Sequence, residues 1–177
     1  DSGDTIFAIL AGQLRAYSVN PANGREITYG TYGPGEYLGE MSLDGGPRSA
    51  SVITLETTVC SVIGRGALQA FIAERPAFAF ELLSKVIRRA RAATLTAQQM
   101  ALNDVYGRLK LLLDALVTRR IGEVRIIDDR PTHQEIANRI GCTREMVSRV
   151  MKDLVRGGHV VVDGNTWVLP GPLPTRW

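Results

Sequence analysis

The stretch from Pro131 to Arg156 constrains this chain more than any other. Thr132 is followed by Glu135, the S/T-x-x-E spacing of a capping box, in which two side chains satisfy backbone N–H groups at a helix start. Ile136, Ala137 and Ile140 then recur at helical spacing. Gly141 predicts the end of that helix, and Thr143 predicts a fresh N-cap. Val147, Val150, Met151 and Leu154 give the second segment one apolar face. Two short helices joined by a glycine-containing turn predict a helix-turn-helix. Arg144, Glu145, Ser148 and Arg149 are the expected exposed positions near the start of the second helix, with Thr143 just ahead of them. Arg suits guanine O6 and N7, and Glu suits the cytosine amino group, so this face is a candidate surface for double-stranded DNA.

A solvated polar face on an ordinary helical hairpin would share part of this pattern. The residues that follow tell against it. Gly157-Gly158 ends the helix, and His159–Val162, the Asp163-Gly164-Asn165 turn and Thr166–Leu169 predict a β-hairpin. A helix-turn-helix with such a hairpin is a winged helix. The run Thr132–Val150 resembles the DNA-binding signature of the CRP/FNR (catabolite activator/fumarate-nitrate regulator) family. That resemblance implies a cytoplasmic transcription regulator that binds a two-fold-symmetric site as a homodimer, with RNA polymerase as a further partner. Arg144-Glu145 with Arg149 resembles the catabolite-activator set, which reads a TGTGA-type half-site. Glu145 with Ser148-Arg149 resembles the fumarate-nitrate set, which reads TTGAT.

Residues 5–63 predict short strands broken by turns: Ile6–Leu10, Leu14–Val19, Glu26–Tyr32, Ser49–Leu55 and Thr58–Ile63. No helix is expected before about residue 66, which excludes a βαβ fold and predicts an antiparallel roll. Inside it lie Gly33-Pro-Gly35-Glu36, Gly39-Glu-Met-Ser-Leu43 and Pro47-Arg48-Ser49-Ala50. This set resembles the phosphate-binding cassette of cyclic-nucleotide-binding domains. Glycine at 39 permits close approach to the backbone, and a turn after it can aim N–H groups at an anion. Arg48 can pair with a phosphate and Ser49 can donate a hydroxyl. Glu40 is an acceptor and suits a ribose 2′-hydroxyl. By resemblance the ligand residues are Gly39, Glu40, Met41, Ser42, Arg48 and Ser49, and the effector is a cyclic nucleotide, cyclic AMP first.

Ala67–Ala73 predicts a short helix before Pro76, and a long helix follows over 77–103. Leu83, Val86/Ile87, Ala90, Ala93/Thr94, Ala97 and Met100/Ala101 alternate three- and four-residue steps, a seam suited to a parallel dimer. In the family this helix also supplies a polar pair to the base. Alignment puts Ala93 and Thr94 there, and Thr94 alone keeps a hydroxyl. Asn103-Asp104 marks the hinge, dividing a sensor domain, 1–103, from a DNA-binding domain, 104–177. Val105–Leu116 predicts the first helix of the second domain and Val124–Ile127 a strand, with a loop at Val117–Glu123. In some activators the equivalent loop is longer and touches RNA polymerase.

The expected fold class is therefore α+β: an antiparallel β-roll of cyclic-nucleotide-binding type, a long dimerisation helix and a C-terminal winged helix-turn-helix. Two alternatives stay open. One is a regulator of the same family that answers to another ligand or to none. The other is a cyclic-nucleotide-binding regulatory subunit that never touches DNA. Arginine is dense from Arg88 to Arg156, whereas charges nearly balance before residue 76, which suits a sensor half and a nucleic-acid half. Cys60 and Cys142 stand far apart without metal-like partners, so neither a disulfide framework nor a zinc site is expected. His133 and His159 are isolated in the sequence, and no nucleophile–base pairing is visible, so no enzyme and no cofactor are expected. No apolar run approaches spanning length, so no membrane partner is expected. The chain opens on Asp1 directly before a strand, which predicts that N-terminal strands precede it.

Overall fold

A computed structural model describes residues 3–176. The chain forms two compact units. The first holds the residues up to Val19 and Thr28–Thr94; the second holds Asn20–Ile27 and the residues from Leu95 on.

The first unit is built from β1 (Thr5–Ala11), β2 (Leu14–Val19), most of β3 (Glu26–Tyr32), β4 (Tyr37–Leu38), a 3₁₀ turn (Glu40–Ser42), β5 (Ser51–Thr54), β6 (Val59–Gly64), α1 (Arg65–Glu74) and the larger part of α2 (Ala77–Leu102). Two small sheets run in the orders β4-β1-β6 and β3-β2-β5. β1 is antiparallel to both of its neighbours, with Phe7 opposite Leu38 on one side and Val62 on the other. Ile6 and Ile9, three residues apart and so on opposite faces of β1, are both buried, at 3% and 1% exposure, each in its own cluster. Ile6 packs with Tyr37 and Leu68, closed over by Phe78 and Leu82 of α2. Ile9 packs with Leu14 and Leu38. Phe71 and Phe78 meet edge to face, which ties α1 to α2. The two-residue strand β4 is an addition to the expected set; it is too short to show any alternation.

α2 buries none of its described residues fully. Leu83, Val86, Ile87 and Leu95 are all exposed apolar side chains along it.

The second unit contains α3 (Val105–Ala115), β7 (Arg119–Ile121), β8 (Val124–Ile127), α4 (His133–Ile140), α5 (Arg144–Arg156), β9 (Val161–Asp163) and β10 (Thr166–Leu169). Asp104 caps α3 by accepting from the Gly107 N–H at 2.7 Å. The four strands order as β7-β8-β10-β9, all antiparallel. The expected loop over Val117–Glu123 is corrected here. Arg119–Ile121 pairs with Val124–Ile126 around the Gly122 turn. All three β7 residues are exposed, so the segment carries no apolar alternation to announce it. The core draws on α3, α4 and α5: Leu109, Leu113, Ile136, Val147 and Leu154 are fully buried, with Trp167 and Leu169 from the hairpin. Truncating such a residue to Ala costs about 2–5 kcal/mol.

Candidate anion pocket and nucleic-acid interface

In the first unit, Gly39 sits at the start of the 3₁₀ turn with φ 95°, a left-handed conformation that favours glycine. A Cβ at this position would lie 2.7 Å from the Thr5 carbonyl oxygen and would also strike the Arg48 Nη1. That close approach lets the Arg48 guanidinium reach into the turn. Its Nη1 donates to the carbonyls of Thr5 (3.0 Å) and Gly39 (3.1 Å) and to Ser42 Oγ (2.9 Å). Its Nη2 donates to Thr5 Oγ1 at 2.9 Å. Ser42 is buried, and its hydroxyl donates to the Gly39 carbonyl, so it both gives and receives a bond. The Arg48 guanidinium also stands over the Phe7 ring, 5.6 Å from its centroid. Gly39, Ser42 and Arg48 thus form one network, with a cation fixed beside the turn.

Glu40 is held from the other side. Its carboxylate lies 2.7 Å from Arg89 Nη1 of α2, and its side chain is 9% exposed. Arg89 also donates from Nη2 to the Tyr37 carbonyl at 2.6 Å and lies over the rings of Tyr32 and Tyr37. Burial raises the pKa of both tyrosines, so their hydroxyls stay protonated. Arg89 gave no local signal in the sequence, because its partners lie in distant strands and turns. The remaining candidates lie outside the network. Met41 is 62% exposed, Ser49 bonds the Met41 sulfur at 3.2 Å, and exposed Thr94 donates back to the Ala90 carbonyl of its own helix.

In the second unit the capping box forms. Thr132 Oγ1 accepts from the Glu135 N–H at 3.2 Å, and Glu135 accepts from the Thr132 N–H at 2.6 Å. Gly141 ends α4 in the left-handed region, φ 66°, and the Cys142 N–H returns to the Ala137 carbonyl. Thr143 then caps α5 by accepting from Met146 N–H. Val147, Val150, Met151 and Leu154 anchor α5 from below. Thr143, Arg144, Glu145 and Arg149 are exposed on its other side.

Ser148 departs from that set. It is half-buried rather than exposed, and its Oγ lies 2.9 Å from His133 Nδ1. His133 is therefore not isolated in the fold. Its ring lies 6.4 Å from the Trp167 indole, and burial, with the cations of Arg130 and Arg144, lowers its pKa below the ordinary 6.5. Arg130 in turn stands over the Trp167 ring at 5.9 Å. No spacing rule pairs positions 133 and 148; only the turn at Gly141 brings them together. Among the described residues, no group of His, Cys, Asp and Glu could hold a metal ion, and no helix is long and apolar enough to cross a membrane.

Residues 1–75 match the cyclic nucleotide-binding domain, and residues 131–158 match the bacterial regulatory proteins, crp family. Over 171 residues the chain is 30% identical to a CRP-like cAMP-activated global transcriptional regulator of Mycobacterium tuberculosis, covering 94% of this chain and 75% of that protein. It is 33% identical over 161 residues to the cyclic AMP receptor protein of Thermus thermophilus, covering 90% and 72%. Among solved structures, the c-di-GMP responsive global regulator CLP of Xanthomonas campestris aligns with a TM-score of 0.81 at 26% identity, over 97% of this chain and 86% of that one. A cyclic-nucleotide-binding roll followed by a long helix and a winged helix-turn-helix defines a DNA-binding transcription regulator. The chain belongs to the crp family of bacterial regulatory proteins.

Proposed function

We propose that this chain is a homodimeric, sequence-specific transcription regulator whose DNA affinity is set by cyclic AMP. The observation that carries the effector is the Arg48 guanidinium fixed beside the Gly39 turn, with the Glu40 carboxylate next to it. A cyclic phosphate would take the cation and a ribose hydroxyl the carboxylate, with Gly39, Met41, Ser42, Ser49 and Thr94 completing the site. Residues 1–103 serve as sensor and dimerisation segment, and 104–177 as DNA-binding domain. The exposed apolar positions of α2 support pairing through that helix. Thr143, Arg144, Glu145, Ser148 and Arg149 meet the major groove of a two-fold-symmetric site, in the cytoplasm and beside RNA polymerase. Calorimetric titration with cyclic AMP and cyclic GMP, then DNA binding with and without ligand at one salt concentration, tests this. Absence of heat with either nucleotide would refute the effector, and absence of a symmetric site would refute the DNA role.

A second effector is favoured by two observations. The structural neighbour CLP is described as c-di-GMP responsive. Position 93, which the resemblance places where cyclic-AMP-dependent members carry a hydroxyl, is alanine, and Thr94 bonds its own helix. Including c-di-GMP in the same titration separates the two.

A further inference from the structure

The contact between His133 and Ser148 bears on which base the chain selects. Ser148 Oγ has a single hydrogen and two lone pairs, so alone it can give to one kind of base edge and accept from another. Here one of those capacities is taken by His133 Nδ1 at 2.9 Å. The groups facing the imidazole are Arg130 from the segment before α4, Arg144 and Ser148 from α5, and the Trp167 indole from β10. Two of these are cations and one is an apolar plate, and no carboxylate is among them. That surrounding favours the uncharged ring.

A neutral imidazole has one N–H and one bare nitrogen. His133 is the first residue of α4, and its Nδ1 is the nitrogen turned to Ser148. The Nε2–H tautomer is the more stable form of a neutral histidine side chain in water, and it leaves Nδ1 bare. Nδ1 is then the acceptor, and the Ser148 hydroxyl hydrogen is spent on it. What Ser148 retains is lone pairs. It can accept from adenine N6 or cytosine N4, and it has nothing to give to guanine O6/N7 or thymine O4.

We propose that His133 is a positioning residue for base selection, which makes Ser148 an acceptor-only contact in the major groove. This rests on the proposed DNA-binding role of α5. His133 itself touches no base; it acts through the hydroxyl it holds.

The test is selection from a random DNA pool near neutral pH, at fixed salt, with the full chain and four variants: Ser148→Ala, His133→Phe, His133→Asn, and His133→Phe with Ser148→Ala. Thermal melting of each variant accompanies the selection. Ser148→Ala identifies the base pair that Ser148 faces. At that pair the parent should enrich adenine or cytosine as the contacted base. His133→Phe keeps a ring beside Trp167 but frees the hydroxyl, so the preference should fall about three- to tenfold, the worth of one hydrogen bond. His133→Asn offers an amide oxygen where Nδ1 lies and should retain most of it. In the Ser148→Ala background, His133→Phe should leave the motif as Ser148→Ala alone has it. The proposal is overturned if the parent prefers guanine or thymine there. It is also overturned if His133→Phe enriches the parental motif, or if His133→Asn loses the preference as fully as His133→Phe. A parent that enriches no site at all removes the DNA-binding role and this inference together, an outcome distinct from the other three.

Discussion

The Glu40 carboxylate is bound to Arg89 Nη1 at 2.7 Å, which joins the glycine turn of the roll to the long helix α2. A ligand hydroxyl that approaches Glu40 therefore meets an acceptor already oriented by a helix. Arg89→Met should leave the roll folded but release that carboxylate. We expect nucleotide affinity to fall about tenfold, as for loss of one charge-assisted bond. Titration calorimetry reads this directly, and unchanged affinity would mean that Glu40 takes no part.

Arg48→Leu should act on both binding and stability. If Arg48 holds the phosphate as proposed, loss of the cation should cost about 1.5–3 kcal/mol of ligand affinity, the range for a charged hydrogen bond. The same change strips Ser42 Oγ and two carbonyls of a donor, and Ser42 is buried. An unsatisfied buried acceptor costs about 1–3 kcal/mol. A lower melting temperature without ligand, together with weaker binding, is the expected pair of results.

In the dimer proposed above, Ala90→Glu would place like charges face to face along α2. Sedimentation should show the parent as a dimer at micromolar concentration and the variant shifted to monomer. A monomeric parent would refute pairing through α2.

Arg144→Val should relax preference for the outer guanine of the half-site, since a bidentate Arg–guanine pair is worth about 1–3 kcal/mol of discrimination. Binding should not weaken uniformly across sequences, as it would on loss of a phosphate contact. An unchanged enriched motif would show that Arg144 reads no base.

Hydrogen bonds from Arg119 and Thr118 hold the Asp128 carboxyl at about 2, against an ordinary 3.8. The folded pKa lies below the unfolded one. The stabilisation is therefore complete above about pH 4 and is lost as pH falls toward 2. Acid titration followed by circular dichroism should show a loss of stability in that window, and Asp128→Asn should flatten it.

The helix-turn-helix was legible because its signals are local. Thr132 and Glu135 cap each other within one turn, and Gly141 and Thr143 lie where the chain must reverse. The roll was legible from its turns, though β4 was too short to see; in the second unit β7 was too exposed. The turn around Gly39 brings Ser42 and Arg48 together, two of the positions that the resemblance to the phosphate-binding cassette names. Long-range partners were not legible. Arg89 reaches Glu40, and His133 reaches Ser148, only after the chain has folded, and neither pair has a periodicity that would mark it.

The division of labour on α5 has an evolutionary consequence. Val147, Val150, Met151 and Leu154 fasten the helix, while Thr143, Arg144, Glu145 and Arg149 stand clear of the core. Substitutions at these exposed positions should therefore cost little in folding, which leaves the face that we propose reads DNA free to vary. Position 148 is the exception. Its side chain is hydrogen-bonded to another helix, so a change there also takes a partner from His133.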